Sequence, residues 1–246
     1  MGYMFSDIKR ILQSPRFYIA IIGVCGSLLF SLEQGGISQS VCKSYISALN
    51  HAGFLMTFLF CAFAYGNVFC EEMEYHYAYY EMIRGNRKSY LWAKVAAVYF
   101  SSIAVMVLGT LLFLLFCKIW VPWGTEMDSC YEVLRAGNYS FFIEKEQYLI
   151  YCLLFSLQMG MIAGVLSLVV AFCSLFVRNQ TLVMILPILI YQCLYLMPDG
   201  IISVYTFWPI YHYVTHDGLY FCVVTGISML AAVMISCGIY VKIKNE

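Results

Sequence analysis

The sequence predicts an all-α, polytopic membrane protein with six transmembrane helices, formed from a single domain over residues 1–246. Three observations carry this. Of the 246 residues, 62% are hydrophobic and 11% charged, whereas soluble domains carry about a quarter charged residues. The apolar residues come in runs of bilayer length separated by short polar stretches, as successive spans do. The basic residues gather on alternate connections.

The chain opens on a predicted surface helix. Met4, Phe5, Ile8, Ile11 and Leu12 recur at helical spacing opposite Asp7, Lys9 and Arg10, the pattern of a short helix lying in the membrane interface. Asp7, Lys9, Arg10 and Pro15, with no small-residue cleavage site after the first apolar run, argue against a removable signal peptide. The first span runs from Phe17 to Leu32, near the short limit for crossing. Residues Glu33 to His51 form a polar stretch read as external. The second span runs from Ala52 to Cys70, where Glu71, Glu72 and Glu74 end it abruptly.

The third span covers Ala93 to Cys117, followed by the longest polar loop, Ile119 to Gln147. The fourth, Tyr148 to Val177, contains Gly160 and Gly164 at the four-residue spacing that lets helices approach closely. A turn at Arg178-Asn179-Gln180 leads to the fifth span, Thr181 to Met197, which contains Pro187. After the break at Pro198-Asp199-Gly200, the aromatic stretch Ile201 to His216 is too short and interrupted to cross and reads as re-entrant. The sixth span, Leu219 to Val241, ends at Lys242 and Lys244.

Charge orients the bundle. With the N-terminus inside, Lys9, Arg10, Arg16, Arg84, Arg87, Lys88, Lys94, Arg178, Lys242 and Lys244 are cytoplasmic. Lys43, Lys118, Arg135 and Lys145 are external. This bias follows the positive-inside rule and predicts both termini in the cytoplasm, at a plasma membrane. Trp92, Trp120, Trp123 and Trp208 fall at predicted span ends, as interfacial belts require. The zero formal net charge gives no sign of a nucleic-acid partner. Most of the eleven cysteines lie in or beside apolar runs and read as small buried hydrophobes. Cys42 and Cys130 fall in predicted external segments, as unpaired loop thiols or, alternatively, as an external bridge.

The most informative segment is Glu71 to Lys94, EEMEYHYAYYEMIRGNRKSYLWAK. Glu71, Glu72, Glu74 and Glu81 precede Arg84, Arg87 and Lys88, with Gly85 between the acidic helix and the basic restart. Tyr75, Tyr79 and Met82 share one helical face, leaving the glutamates and His76 to a cytosolic partner. The alternative is an amphipathic connector that keeps the loop soluble.

The order of surface helix, six spans, acidic-then-basic loop helix after the second span and apolar re-entrant stretch before the sixth resembles the permease subunits of type 2 ABC exporters. The matching residues are Phe69, Glu71, Glu72, Gly85, Arg87, Lys88 and Lys94; Tyr75-His76 and Gly85 stand where many relatives have Gly-Thr and a proline. The resemblance implies a dimer, homodimeric or formed with a second, paralogous permease. It also implies that this loop is a coupling helix docking on cytosolic ABC ATPase subunits. ATP and Mg would then be bound by the partner, because the chain has no G-x-x-x-x-G-K phosphate loop, and it is not itself expected to be an enzyme. Bacterial permeases of this kind are similar to exporters of antimicrobial peptides, drugs and lipids, and an amphipathic peptide is the preferred cargo.

Polar residues inside spans are candidates for a substrate path, since an unpaired polar group in hydrocarbon is costly. Asn67, Gln158 and Gln192 qualify, with Gln158 better read as an interhelical hydrogen bond. Phe54, Phe58, Tyr65, Tyr191 and Tyr195 could wall such a path, although such rings more often serve packing. His212, His216 and Asp217 are a poor metal set. Two other functions compete. An intramembrane metalloprotease would use Glu71 and Glu72, but His51, His212 and His216 fall on the opposite side. An ion-coupled secondary transporter would need ionisable residues in mid-span, where none is found.

Overall fold

A computed structural model of the chain describes residues 2–33, 38–66, 68, 87–124, 134–135, 137–177, 179–196, 207–210 and 216–245. The described elements are all helical. They are α1 (Gly2–Gln13), α2 (Pro15–Glu33), α3 (Val41–Asn50), a 3-10 turn at Ala52–Phe54 running into α4 (Leu55–Tyr65), and α5 (Arg87–Trp120). A short α6 (Ser140–Glu144), α7 (Tyr148–Cys173), α8 (Gln180–Tyr195) and α9 (Asp217–Asn245) complete the series.

Four of these, α2, α5, α7 and α9, are long and apolar enough to cross a membrane, and a fifth span arises if α3 and the bent helix after it count as one. α8 is apolar but shorter. Exposed residues fit a hydrocarbon solvent: Ile19, Ile22 and Phe30 on α2, Leu112, Leu115 and Phe116 on α5, and Leu219, Leu230, Val233 and Met234 on α9 all face outward. Apolar surface on this scale is rare on monomeric soluble proteins.

α7 is the most enclosed of the long helices and α9 the least. α7 packs along α5 and also touches α4, α8 and α9, while α5 carries α1, α2 and α4 on its other sides. Small residues permit this. A Cβ on Gly160 would sit 3.3 Å from the Cα of Ile103, and one on Gly164 would sit 2.7 Å from the Tyr99 ring. Both predicted small positions therefore face α5. Most hydroxyls inside the long helices are satisfied locally or across helices, as hydrocarbon demands, while Ser31 Oγ and Tyr151 OH are buried without a partner among the described residues. Ser27 donates to Val24 O, Ser167 to Ala163 O and Ser236 to Ala232 O. Thr110 bonds Ser156 between α5 and α7 at 2.6 Å, and Tyr99 donates to Ser228 Oγ of α9 at 3.2 Å.

α2 and α5 also approach closely, here through atoms held by the backbone. A Cβ on Gly109 would meet the Val24 Cβ at 2.6 Å and the Ile21 carbonyl oxygen at 3.1 Å, atoms that cannot swing away. Gly109→Ala is therefore expected to force the helices apart and to lower stability by about 1–3 kcal/mol, despite the better helix propensity of alanine. Thermal unfolding of the detergent-solubilised protein measures it; a neutral or stabilising result would refute the close contact.

Two expectations are corrected. The stretch Glu33 to His51, read as a polar external segment, contains α3, which buries Val41, Cys42, Tyr45, Ile46, Ala48 and Leu49. Ser40 caps it by accepting from Lys43 N. An average over Lys43, four serines and Asn50 hides the apolar stripe that the helix turns inward. α3 meets the following helix at 81°, so His51 marks a break in a buried hairpin-like turn. Trp208, expected at the interface, is 4% exposed and packs edge-on against Phe155, with centroids 5.7 Å apart.

Gln158, expected to bond between helices, donates from Nε2 to the OH of Tyr139 in the segment before α6 at 2.7 Å, while its Oε1 has no partner among the described residues. Tyr139 has a left-handed backbone (φ 64°), and its amide donates to Asp217 Oδ1 at 2.8 Å. Burial, and then the nearby Asp217 carboxylate, push the Tyr139 hydroxyl up, so it stays protonated across the physiological range. These contacts tie the segment before α6 to the middle of α7 and the start of α9.

Candidate functional site

The two ends of α4 carry different chemistry. α4 spans eleven residues from Leu55 to Tyr65, a rise between its two ends of about 15 Å. At the Tyr65 end, three elements converge on one carboxylate. Lys94 Nζ of α5 lies 2.8 Å from Asp7 Oδ1 of α1, and Tyr65 OH donates to the same oxygen at 3.1 Å. Lys94 also donates to Tyr65 OH at 3.2 Å and lies 5.6 Å from the Tyr65 and Tyr90 ring centroids. The Lys94 and Asp7 side chains are 3% and 9% exposed.

An ion pair this dry persists only with good geometry and further hydrogen bonds, and Tyr65 provides one. α1 is thus fastened to the end of α4 and the first turns of α5, on either side of residues 67–86. Beside the clamp, Arg10, Ser14 and Arg16 face Phe63, Ala64 and Val68 across a recess of about 150 Å3.

At the other end, the break after α3 opens a cavity of about 190 Å3. Asn50, His51 and Phe54 form one wall, and Tyr191, Gln192 and Tyr195 of α8 form the other, with Trp208 beside them. The wall of rings is preorganised. Phe58 stacks on Tyr191 with centroids 4.3 Å apart, and Phe54 meets both Phe58 and Tyr191 edge-on at 5.1 and 6.2 Å. Phe54 and Phe58 are buried, whereas Gln192 and Tyr195 are exposed. Such a mixture of ring faces and amides suits an amphipathic guest.

Of the path residues expected from sequence, Phe54, Tyr191, Gln192 and Tyr195 are brought together, with Phe58 behind them. Tyr65 is not among them. It belongs to the clamp at the opposite end of α4, because nearly the whole of that helix lies between it and the cavity. Asn67 lies outside the described residues, as do Phe69, Glu71, Glu72, Glu74, Glu81, Arg84 and Gly85. Arg87 opens α5 and Lys88 is exposed. His212 is likewise outside; His51 lines the cavity, and Asp217 is engaged by the Tyr139 amide.

The Asp7–Lys94 pair was missed. Asp7 reads as one polar residue of an amphipathic helix and Lys94 as a boundary cation. A usable signal exists, namely an acid in an otherwise basic predicted surface helix and a lysine at the edge of an apolar run, both on the same predicted side.

Helical architecture, bilayer-length apolar helices and outward-facing hydrocarbon side chains together define the class, an all-helical chain suited to a membrane. No known protein family, curated protein or solved structure matches it.

Proposed function

We propose that the chain is the membrane-spanning permease subunit of an ATP-driven exporter of the type 2 ABC class. The observation that carries this reading is the buried Asp7–Tyr65–Lys94 clamp. It joins a surface helix to the end of α4 and the start of α5, the two helices that flank residues 67–86. A partner that pushes on the acidic segment Glu71–Glu81 would thereby move α1, α4 and α5 as one unit, rather than flexing a loose loop.

In this reading α2, the bent pair of α3 and α4, α5, α7, α8 and α9 are six spans, and residues 201–216 form the re-entrant segment. Both termini and residues 67–94 face the cytosol of a bacterial cell. Two cytosolic ABC ATPase subunits dock on residues 71–94 and supply the ATP and Mg chemistry, and a second permease copy or paralogue completes the dimer. The cavity between His51 and Gln192 then lies at the outer mouth, where its rings and amides would meet an amphipathic peptide, drug or lipid in transit. The buried ion pair also bears on ion-coupled transport, but its acid comes from the surface helix. It therefore stands at the membrane boundary and not on a mid-span ion path.

Purification in mild detergent from its native membrane tests the proposal. A soluble ATP-binding protein is expected to copurify, with ATPase activity that depends on the chain. Recovery of the chain alone, with no ATPase in the eluate, would overturn it.

A further inference from the structure

We infer that Cys42 and Cys152 are partners in an intramolecular disulfide that fastens α3 to α7. Their sulfurs lie 3.9 Å apart although 110 residues separate them in sequence, and both side chains are buried. A covalent S–S bond measures about 2.05 Å, so closure requires an approach of roughly 2 Å, within reach of side-chain torsions and a small shift of a ten-residue helix.

The backbone presents Cys42 to Cys152. Val41 N donates to Pro122 O at 2.9 Å and Cys42 N to Trp123 O at 3.2 Å, which pins the first turn of α3 to the chain leaving α5. The Ser40 hydroxyl caps the same turn. Tyr45, one turn on, and Tyr151, beside Cys152, are fully buried with hydroxyls unpartnered among the described residues. Neither holds a thiol in another orientation by a hydrogen bond.

The reaction is thiol–disulfide exchange with a small-molecule or protein disulfide as oxidant. One cysteine thiolate attacks a donor sulfur, forms a mixed disulfide and expels one donor thiolate. The second cysteine thiolate attacks the mixed disulfide at its sister sulfur and expels the other. The two electrons end on the donor, and the two cysteine protons balance its two new thiols. Since both cysteines are buried in the packed bundle, exchange is completed before α3 seats against α7. The closed bridge then holds the 81° break that shapes the cavity at His51. The pairing chemistry is independent of the transport reading; only the placement of this end outside, where disulfides persist, shares its topology.

The test is to denature membranes in dodecyl sulfate with excess N-ethylmaleimide and no reductant, and then to map the cysteine peptides by mass spectrometry. A linked Cys42–Cys152 fragment is expected, its two thiols alkylated only after reduction, while Cys193, Cys222 and Cys237 are alkylated directly. In Cys42→Ser, Cys152 is expected to react without reduction, with the size-exclusion profile checking that the variant is folded. The inference is overturned if both thiols react fully in unreduced wild-type protein even after incubation with oxidised glutathione. It is equally overturned by a Cys42–Cys130 fragment, or by a Cys152 that stays blocked in folded Cys42→Ser.

Discussion

Lys94→Met is expected to destabilise the protein by about 3–5 kcal/mol, because it strands the Asp7 carboxylate in a site it cannot leave without undocking α1. Methionine keeps the length of the lysine stem, so packing beside Tyr65 and Tyr90 changes little and the loss is electrostatic. Asp7→Asn should cost a similar amount by stranding the ammonium instead. The double variant Asp7→Asn with Lys94→Met is expected to recover most of the loss, since a neutral pair needs no counter-charge. Denaturation of the four proteins in the same detergent completes the cycle. If the single variants fell within about 0.5 kcal/mol of wild type, as surface substitutions do, the pair would be no clamp. High salt should leave the coupling largely intact, because the pair is shielded from mobile ions.

Charge reversal at Glu72 and Glu81 together (Glu72→Lys, Glu81→Lys) is expected to abolish chain-dependent ATPase activity while leaving membrane insertion unchanged. An acidic helix that docks on a partner presents its carboxylates to opposite charge, and reversing them sets like charges face to face at a cost of several kcal/mol. Insertion depends on the apolar runs and on the inside bias of basic residues, which two additional lysines on the cytosolic side reinforce. Copurified ATPase with unaltered activity in this variant would remove the coupling role from residues 71–94. The two predictions separate. The first concerns the joint between surface helix and bundle, the second the contact between bundle and partner.

Much of the helical layout was legible because hydropathy and helix formation are local. A run such as Leu111 to Cys117 must satisfy its backbone hydrogen bonds within its own helix wherever it meets hydrocarbon, so its identity as a span does not depend on what packs beside it. The cavity was legible in part. Residue type marked Phe54, Phe58, Tyr191, Gln192 and Tyr195 as candidates to wall a path, and packing alone brings Phe54, Tyr191, Gln192 and Tyr195 to one cavity. Tyr65 carried the same signal and belongs elsewhere, since ring type does not say which end of α4 a residue occupies relative to the break at His51.

By itself the sequence determined the solvent of this protein, the places where its apolar helices run, and the small glycine positions at which they approach. The tertiary structure alone decided that α3 folds back into the bundle, that Trp208 is buried against Phe155, and that Asp7 meets Lys94 and Cys42 meets Cys152. The reason is range. Composition and periodicity average over one turn or one helix, whereas a salt bridge across 87 residues or two sulfurs across 110 exist only when separate helices are packed, and an isolated charge or thiol carries no mark of its partner.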